Sequence, residues 1–118
     1  MHNFKELKIW LMSRKFVKEI YALTKNFPQE ELFVLTAQMR RAAISIPSNI
    51  SEGAGRNSDK DFERFLDIAN GSAFELETQL FLCFDLEYLT NEKLDLLLEK
   101  IQKIQKMIYK FKSSLTSS

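Results

Sequence analysis

A chain of 118 residues and 13.8 kDa, 45% hydrophobic and 28% charged, suits one domain around one modest core and excludes a disordered chain or a second domain. Its 17 Lys and Arg nearly balance 16 Asp and Glu, and a single cysteine, Cys83, excludes an internal disulfide. No run approaches the roughly 18 apolar residues of a membrane span, and the start MHNFKELKIW carries no export signal, so the expected location is cytoplasmic.

Three Gly and two Pro, all between Pro28 and Gly71, leave the chain almost free of helix breakers, and the spacing predicts four helices over about 4–25, 29–52, 59–88 and 91–114. In the first, Leu7, Trp10, Leu11, Val17, Ile20, Tyr21 and Thr24 recur at three- and four-residue steps, with Phe16 and Leu23 widening the inward face. Asn26-Phe27-Pro28 stops it, because proline disfavours helical geometry in the preceding residue.

The second segment is expected to start near Pro28, with Glu30 and Glu31 at the positive end of its dipole and Phe33, Met39, Ala42, Ala43, Ile46 and Ile50 inward. Pro47 lies inside this pattern and deprives the Ala43 carbonyl of its donor, which predicts a kink. The run ends in SEGAGRN, where Gly53 and Gly55 offer left-handed conformations.

Ser58 and Asp61 have capping-box spacing and announce the third helix, whose stripe is Phe62, Phe65, Leu66, Ala69, Ala73, Leu76, Leu80, Cys83 and Phe84. Thr90-Asn91 starts the fourth, carried by Leu94, Leu97, Leu98, Ile101, Ile104, Ile108, Phe111 and Leu115, and the tail SSLTSS is expected to fray. No strand signal competes. Four helices of comparable length with short connections make an all-α, antiparallel up-and-down four-helix bundle. Ala43→Leu or Gly71→Leu is expected to disturb assembly or folding by overpacking, at a cost of about 1–3 kcal/mol.

The inventory of reactive groups is short. His2 is alone and terminal, expected in solvent, so a histidine-based metal site or general base has no material; Cys83 on the inward stripe reads as an inert core thiol. No catalytic residue, cofactor or metal ligand set is indicated, although a carboxylate-only cation site from Glu52, Asp67 or Glu75 is an alternative at the level of sequence. GAGR follows no strand and lacks the Lys-Ser/Thr of a phosphate loop.

Charge is unevenly placed. Residues 1–57 carry nine basic against five acidic groups, and the remainder eight against eleven, with lysines 100, 103, 106, 110 and 112 turning the end basic. Candidate nucleic-acid contacts are Arg40, Arg41 and Arg56 together with Lys103, Lys106 and Lys110, the lysines following helical steps. A solvated face, complementary subunit surfaces and dipole compensation are the alternatives. Gln38, Ser45, Asn49 and Glu52, embedded in an otherwise apolar helix, must pair if buried and form a candidate structural polar cluster. Most aromatics fit helical stripes, but Trp10, Phe16, Phe27 and Phe33 are more than a small bundle easily hides, so some of them are expected to face a partner, and no array of the kind that reads single-stranded bases stands out.

The strings FPQEELFVLTAQMRRAAISIPSNISEGAGR, FERFLDIANGSAFELETQLFL and LEYL resemble the four-helix bundle family encoded by intervening sequences in bacterial 23S ribosomal RNA genes, once described as a ribosomal protein family. That family is in turn similar to the accessory variability proteins of diversity-generating retroelements. Its pattern falls on Gln38, Arg40, Arg41, Ser45, Pro47, Asn49, Glu52 and Gly53, and then on Gly71, Ser72, Glu75 and Thr78, which adds Glu75 to the polar cluster. The resemblance implies an up-down bundle assembling into a ring, typically a homopentamer, and retroelement relatives that bind nucleic acid and a reverse transcriptase. This chain departs from those basic relatives in being nearly neutral.

The reading is a non-enzymatic oligomeric scaffold or adaptor that contacts RNA, DNA or a nucleic-acid enzyme through basic patches, with no membrane role. A protein–protein interaction module without a nucleic-acid role is the alternative. A small ligand carrier or enzyme built on Asn49 and Glu52 is the remote one.

Overall fold

The computed structural model, which describes residues 2–116, contains four long helices and, among those residues, no strand: α1 Lys8–Thr24, α2 Leu35–Ala54, α3 Asp59–Asp85 and α4 Asn91–Thr116. Their apolar stripes meet in one core, in which Phe16, Ile20, Met39, Ile46, Phe62, Leu66, Leu76, Leu97 and Ile101 are fully buried. Each helix packs on its neighbour in sequence and α1 closes on α4, within a body of 46 × 24 × 20 Å. Cross-contacts run in opposite order along successive helices: Met39 meets Cys83, Arg41 meets Glu75 and Ser45 meets Ser72, while Asp67 meets Lys112 and Glu77 meets Gln102.

The helix expected from residue 4 is divided. Phe4–Glu6 forms a 3-10 turn whose Lys5 N–H is capped by Asn3 Oδ1 at 3.3 Å, and Leu7 is extended before α1 begins. The buried face of α1 is Ile9, Ser13, Phe16, Ile20 and Thr24, as expected for the last three, while Leu11 and Tyr21 are exposed. Buried Ser13 is satisfied by donating to the Trp10 carbonyl, and Thr24 by donating to that of Ile20.

α2 also starts later than expected. Gln29–Glu31 is a 3-10 turn, Val34 adopts an irregular backbone geometry, and Phe33, expected in the core, is 88% exposed. A helix begun at Pro28 would turn Phe33 inward; restarting at Leu35 puts it outside the regular stripe. Met39, Ala42, Ala43, Ile46 and Ile50 are buried as the periodicity predicts, and the helix continues through Pro47 to Ala54. Neither Gly53 nor Gly55 takes a positive φ. Gly53 is instead buried against α3, where a Cβ would stand 2.7 Å from Phe65 Cβ, so its role is close helix approach.

Ser58 caps α3 by accepting the Asp61 N–H at 3.1 Å. The helix ends three residues before the expected 88, because Glu87 turns left-handed (φ 65°) and the Tyr88 N–H returns to the Cys83 carbonyl at 2.8 Å. Phe84, expected on the inward stripe, is exposed. Gly71 is exposed, and a β-carbon added there would meet nothing within 4 Å, so the expected overpacking at Gly71→Leu does not arise inside one chain, whereas Ala43 is buried. Thr90 Oγ1 caps α4 by accepting the Lys93 N–H. The serine-rich tail is helical through Thr116, and its last two residues lie outside the described ones.

His2 is not free in solvent. Its N–H donates to the Ala54 carbonyl at 2.9 Å, its ring lies 5.0 Å from that of Phe62, and Nε2 is 3.2 Å from Asp59 Oδ1, tying the start of the chain to the α2–α3 junction.

Candidate nucleic-acid interface

The three candidate arginines do not form one patch. Successive helical residues point about 100° apart, so Arg40 lies toward α1 and Arg41 toward α3. Arg40 donates from Nε to Thr24 Oγ1 at 2.9 Å with its guanidinium 4.4 Å from the Tyr21 ring centre. Arg41 donates to Gln38 Oε1 at 2.9 Å and to Glu75 Oε2 at 2.6 Å. Arg56 stands at the far end of α2, 3.7 Å from Glu52 and from Asp61, with its guanidinium 4.7 Å from the Phe65 ring. All three already face carboxylates, hydroxyls or aromatic rings of their own chain.

The polar cluster lies along the contact between α2 and α3 in separate bonded groups. Ser72 donates to Ser45 Oγ at 2.8 Å, Asn49 Nδ2 donates to the Ser45 carbonyl at 2.8 Å, and Glu75 accepts from Arg41 and Gln79. The Glu52–Arg56 pair lies toward the α2–α3 junction. Asn49 and Glu52 thus serve internal bonds. Across the bundle, the groove beside Pro47, of about 300 Å³, is lined by Trp10, Arg14, Val17, Ile44 and the Ser48 and Ser51 side of α2, and holds neither of them.

The lysines of α4 are arranged differently. Lys100 pairs with Glu19 and Lys112 with Asp67 at 2.7 Å, which holds the Lys112 ammonium above the usual lysine range through that hydrogen bond. Lys103, Lys106 and Lys110 are exposed and make no ion pair among the described residues. Lys110 stands on the ridge between two grooves. With Lys103 it borders a groove of about 500 Å³ toward α1, lined by Leu7, Lys8, Met107 and Phe111. With Lys106 it borders one of about 570 Å³ toward α3, lined by Asn70, Phe74, Gln105 and Tyr109. Asn70, Phe74 and Tyr109 were not among the sequence candidates; spacing alone cannot bring residues 70 and 109 together.

Cys83 is buried 3.3 Å from Met39 Sδ, and burial first, then the Glu31 charge, pushes its thiol up to about 12. Among the described residues no group of three or more His, Cys, Asp or Glu could hold a metal ion, and no helix is long and apolar enough to cross a membrane. A second surface feature occupies the end where α2 begins and α3 finishes: Phe33, Val34, Leu82 and Leu86 are exposed there.

Comparison with known proteins agrees with this all-helical architecture. A solved structure from Bacteroides thetaiotaomicron, described as a protein with unknown function from the S23 ribosomal protein family, is similar at 30% sequence identity and a TM-score of 0.82. The match covers 89% of this chain and 95% of that one. No curated protein matches. The family model described as 23S rRNA-intervening sequence protein matches residues 5–110, and with nearly the whole bundle inside that match the chain belongs to the 23S rRNA-intervening sequence protein family.

Proposed function

We propose that this protein is a non-enzymatic scaffold: an antiparallel up-and-down bundle that assembles into a homo-oligomeric ring, a pentamer by the family resemblance, and contacts RNA or DNA in the cytoplasm. The observation that carries the nucleic-acid part is the row Lys103, Lys106 and Lys110, three exposed ammonium groups with no ion-pair partner among the described residues. Arg40, Arg41 and Arg56 are secondary contacts, because each would first have to leave the partners it already has. Assembly is supported by exposed Phe33, Val34, Leu82 and Leu86, an apolar surface that association would remove from water.

The test joins a salt titration with labelled RNA and DNA to sedimentation in the same buffers. The expected species contains five 13.8-kDa chains and binds with a steep salt dependence. Changing Lys103, Lys106 and Lys110 to Gln should reduce the slope of log affinity against log salt by about two. A folded oligomer that binds no nucleic acid at low salt overturns the nucleic-acid part. The apolar end around Phe33 then favours the second reading, an interaction module for another protein.

A further inference from the structure

The groove between α3 and α4 combines three features that no single helix carries. Phe74 (54% exposed) and Tyr109 (66% exposed) both present ring surface to it, one from each helix. Lys106 and Lys110 border it, and neither has an ion-pair partner among the described residues. Asn70 lines it, and the Asn70 Oδ1 is buried with no hydrogen-bond partner. The Gln105 amide is held in place by the Glu77 carboxylate at 2.8 Å, so it is not there to satisfy that oxygen.

Each feature asks for a different part of one ligand. Exposed aromatic rings gain by stacking on a flat π-system. A buried acceptor without a donor costs free energy, which an N–H in the groove would recover once the Asn70 side chain turns its oxygen outward. Two free ammonium groups suit an anion. A nucleotide carries all three: a flat base, N–H donors on its Watson–Crick edge, and a phosphate. In a duplex those donors are paired and the base faces covered. We propose that this groove is a nucleotide seat selective for unpaired bases, with the base stacked on Phe74 or Tyr109, the Asn70 side chain turning so that its Oδ1 accepts a Watson–Crick N–H, and the phosphate on Lys106 and Lys110.

As a site on a nucleic-acid strand this rests on the scaffold reading above; as a site for a free nucleotide it does not. The volume of about 570 Å³ lies within the range of small-molecule sites. All four contacting side chains other than Asn70 are exposed, so changing them leaves the core intact.

The experiment uses the full chain, a labelled single-stranded RNA of about 12 nucleotides, the duplex of the same sequence, and adenosine monophosphate. The single strand is expected to bind at least about tenfold more tightly than the duplex, with Phe74→Ala and Tyr109→Ala each weakening it by about five- to hundredfold. Lys106→Gln with Lys110→Gln should lower the salt slope by about one, and Asn70→Leu should narrow the preference for single strand over duplex. Saturable binding of the mononucleotide alone, lost in Phe74→Ala, supports the seat while overturning the strand-binding scaffold. Equal binding of single strand and duplex, unchanged in Phe74→Ala and Tyr109→Ala, overturns the seat and leaves the scaffold standing. No binding of any of the three probes overturns both.

Discussion

Gly53 of α2 lies so close to Phe65 of α3 that a β-carbon on the glycine would stand 2.7 Å from the phenylalanine Cβ and 2.8 Å from Phe62 Cδ1. Both neighbours are buried, and neither contact is the far end of a flexible side chain. Gly53→Ala is therefore expected to destabilise the fold by about 1–3 kcal/mol, outweighing the helix-propensity gain of about 1 kcal/mol. Denaturant unfolding checks this, and an unchanged or raised midpoint refutes it.

Gly71 presents the opposite case within the same fold. It is exposed in the middle of α3 with no neighbour near its missing side chain, so Gly71→Ala should stabilise the single chain by about 1 kcal/mol. Gly71→Leu is expected to leave the melting temperature of the single chain unlowered, because a β-carbon there meets nothing within 4 Å. Ala43→Leu, at a buried position, should instead cost about 1–3 kcal/mol of folding stability.

Glu87 terminates α3 in the left-handed conformation that glycine adopts freely. Glu87→Gly is expected to raise stability by about 1 kcal/mol, since the glutamate carries steric strain there that glycine does not. Equilibrium unfolding of the two proteins decides the point.

Tyr88 donates to Glu31 Oε2 at 2.7 Å, and this hydrogen bond, ahead of desolvation and the Glu31 charge, pushes its phenol up to about 12 from 10.0. The folded state therefore holds the proton more tightly than the unfolded one. The stabilisation is fully present below pH 10 and is lost as pH rises toward about 12. Tyr88→Phe should remove that contribution to the pH dependence, and a phenolate absorbance titration should lose its late-titrating component.

The Cys83 thiol, pushed up to about 12 and buried beside Met39, should resist alkylation in the folded protein. Its modification rate is expected to follow unfolding as denaturant is added. Rapid labelling of the native protein, with secondary structure retained, would show the burial to be wrong.

Periodicity and end signals alone determined the number of helices, the Ser58 and Thr90 caps, and most of the core from Met39 to Ile108, because those depend on neighbours within a few turns. The same local signals put Phe33, Tyr21 and Phe84 inward although all three are exposed, since each lies within one turn of a helix end, where packing by the neighbouring elements rather than periodicity decides burial. The strings around Arg41 and Glu75 indicated the family, but not that these two side chains bond to each other across α2 and α3. Tertiary structure decided that pairing, the glycine contact at Gly53 and the latch at His2. It also decided which lysines have no ion-pair partner among the described residues and which aromatic residues share their groove. Residues 70 and 109 are neighbours only because α3 and α4 pack along a common line, and packing of that kind is a property of two surfaces rather than of either sequence segment.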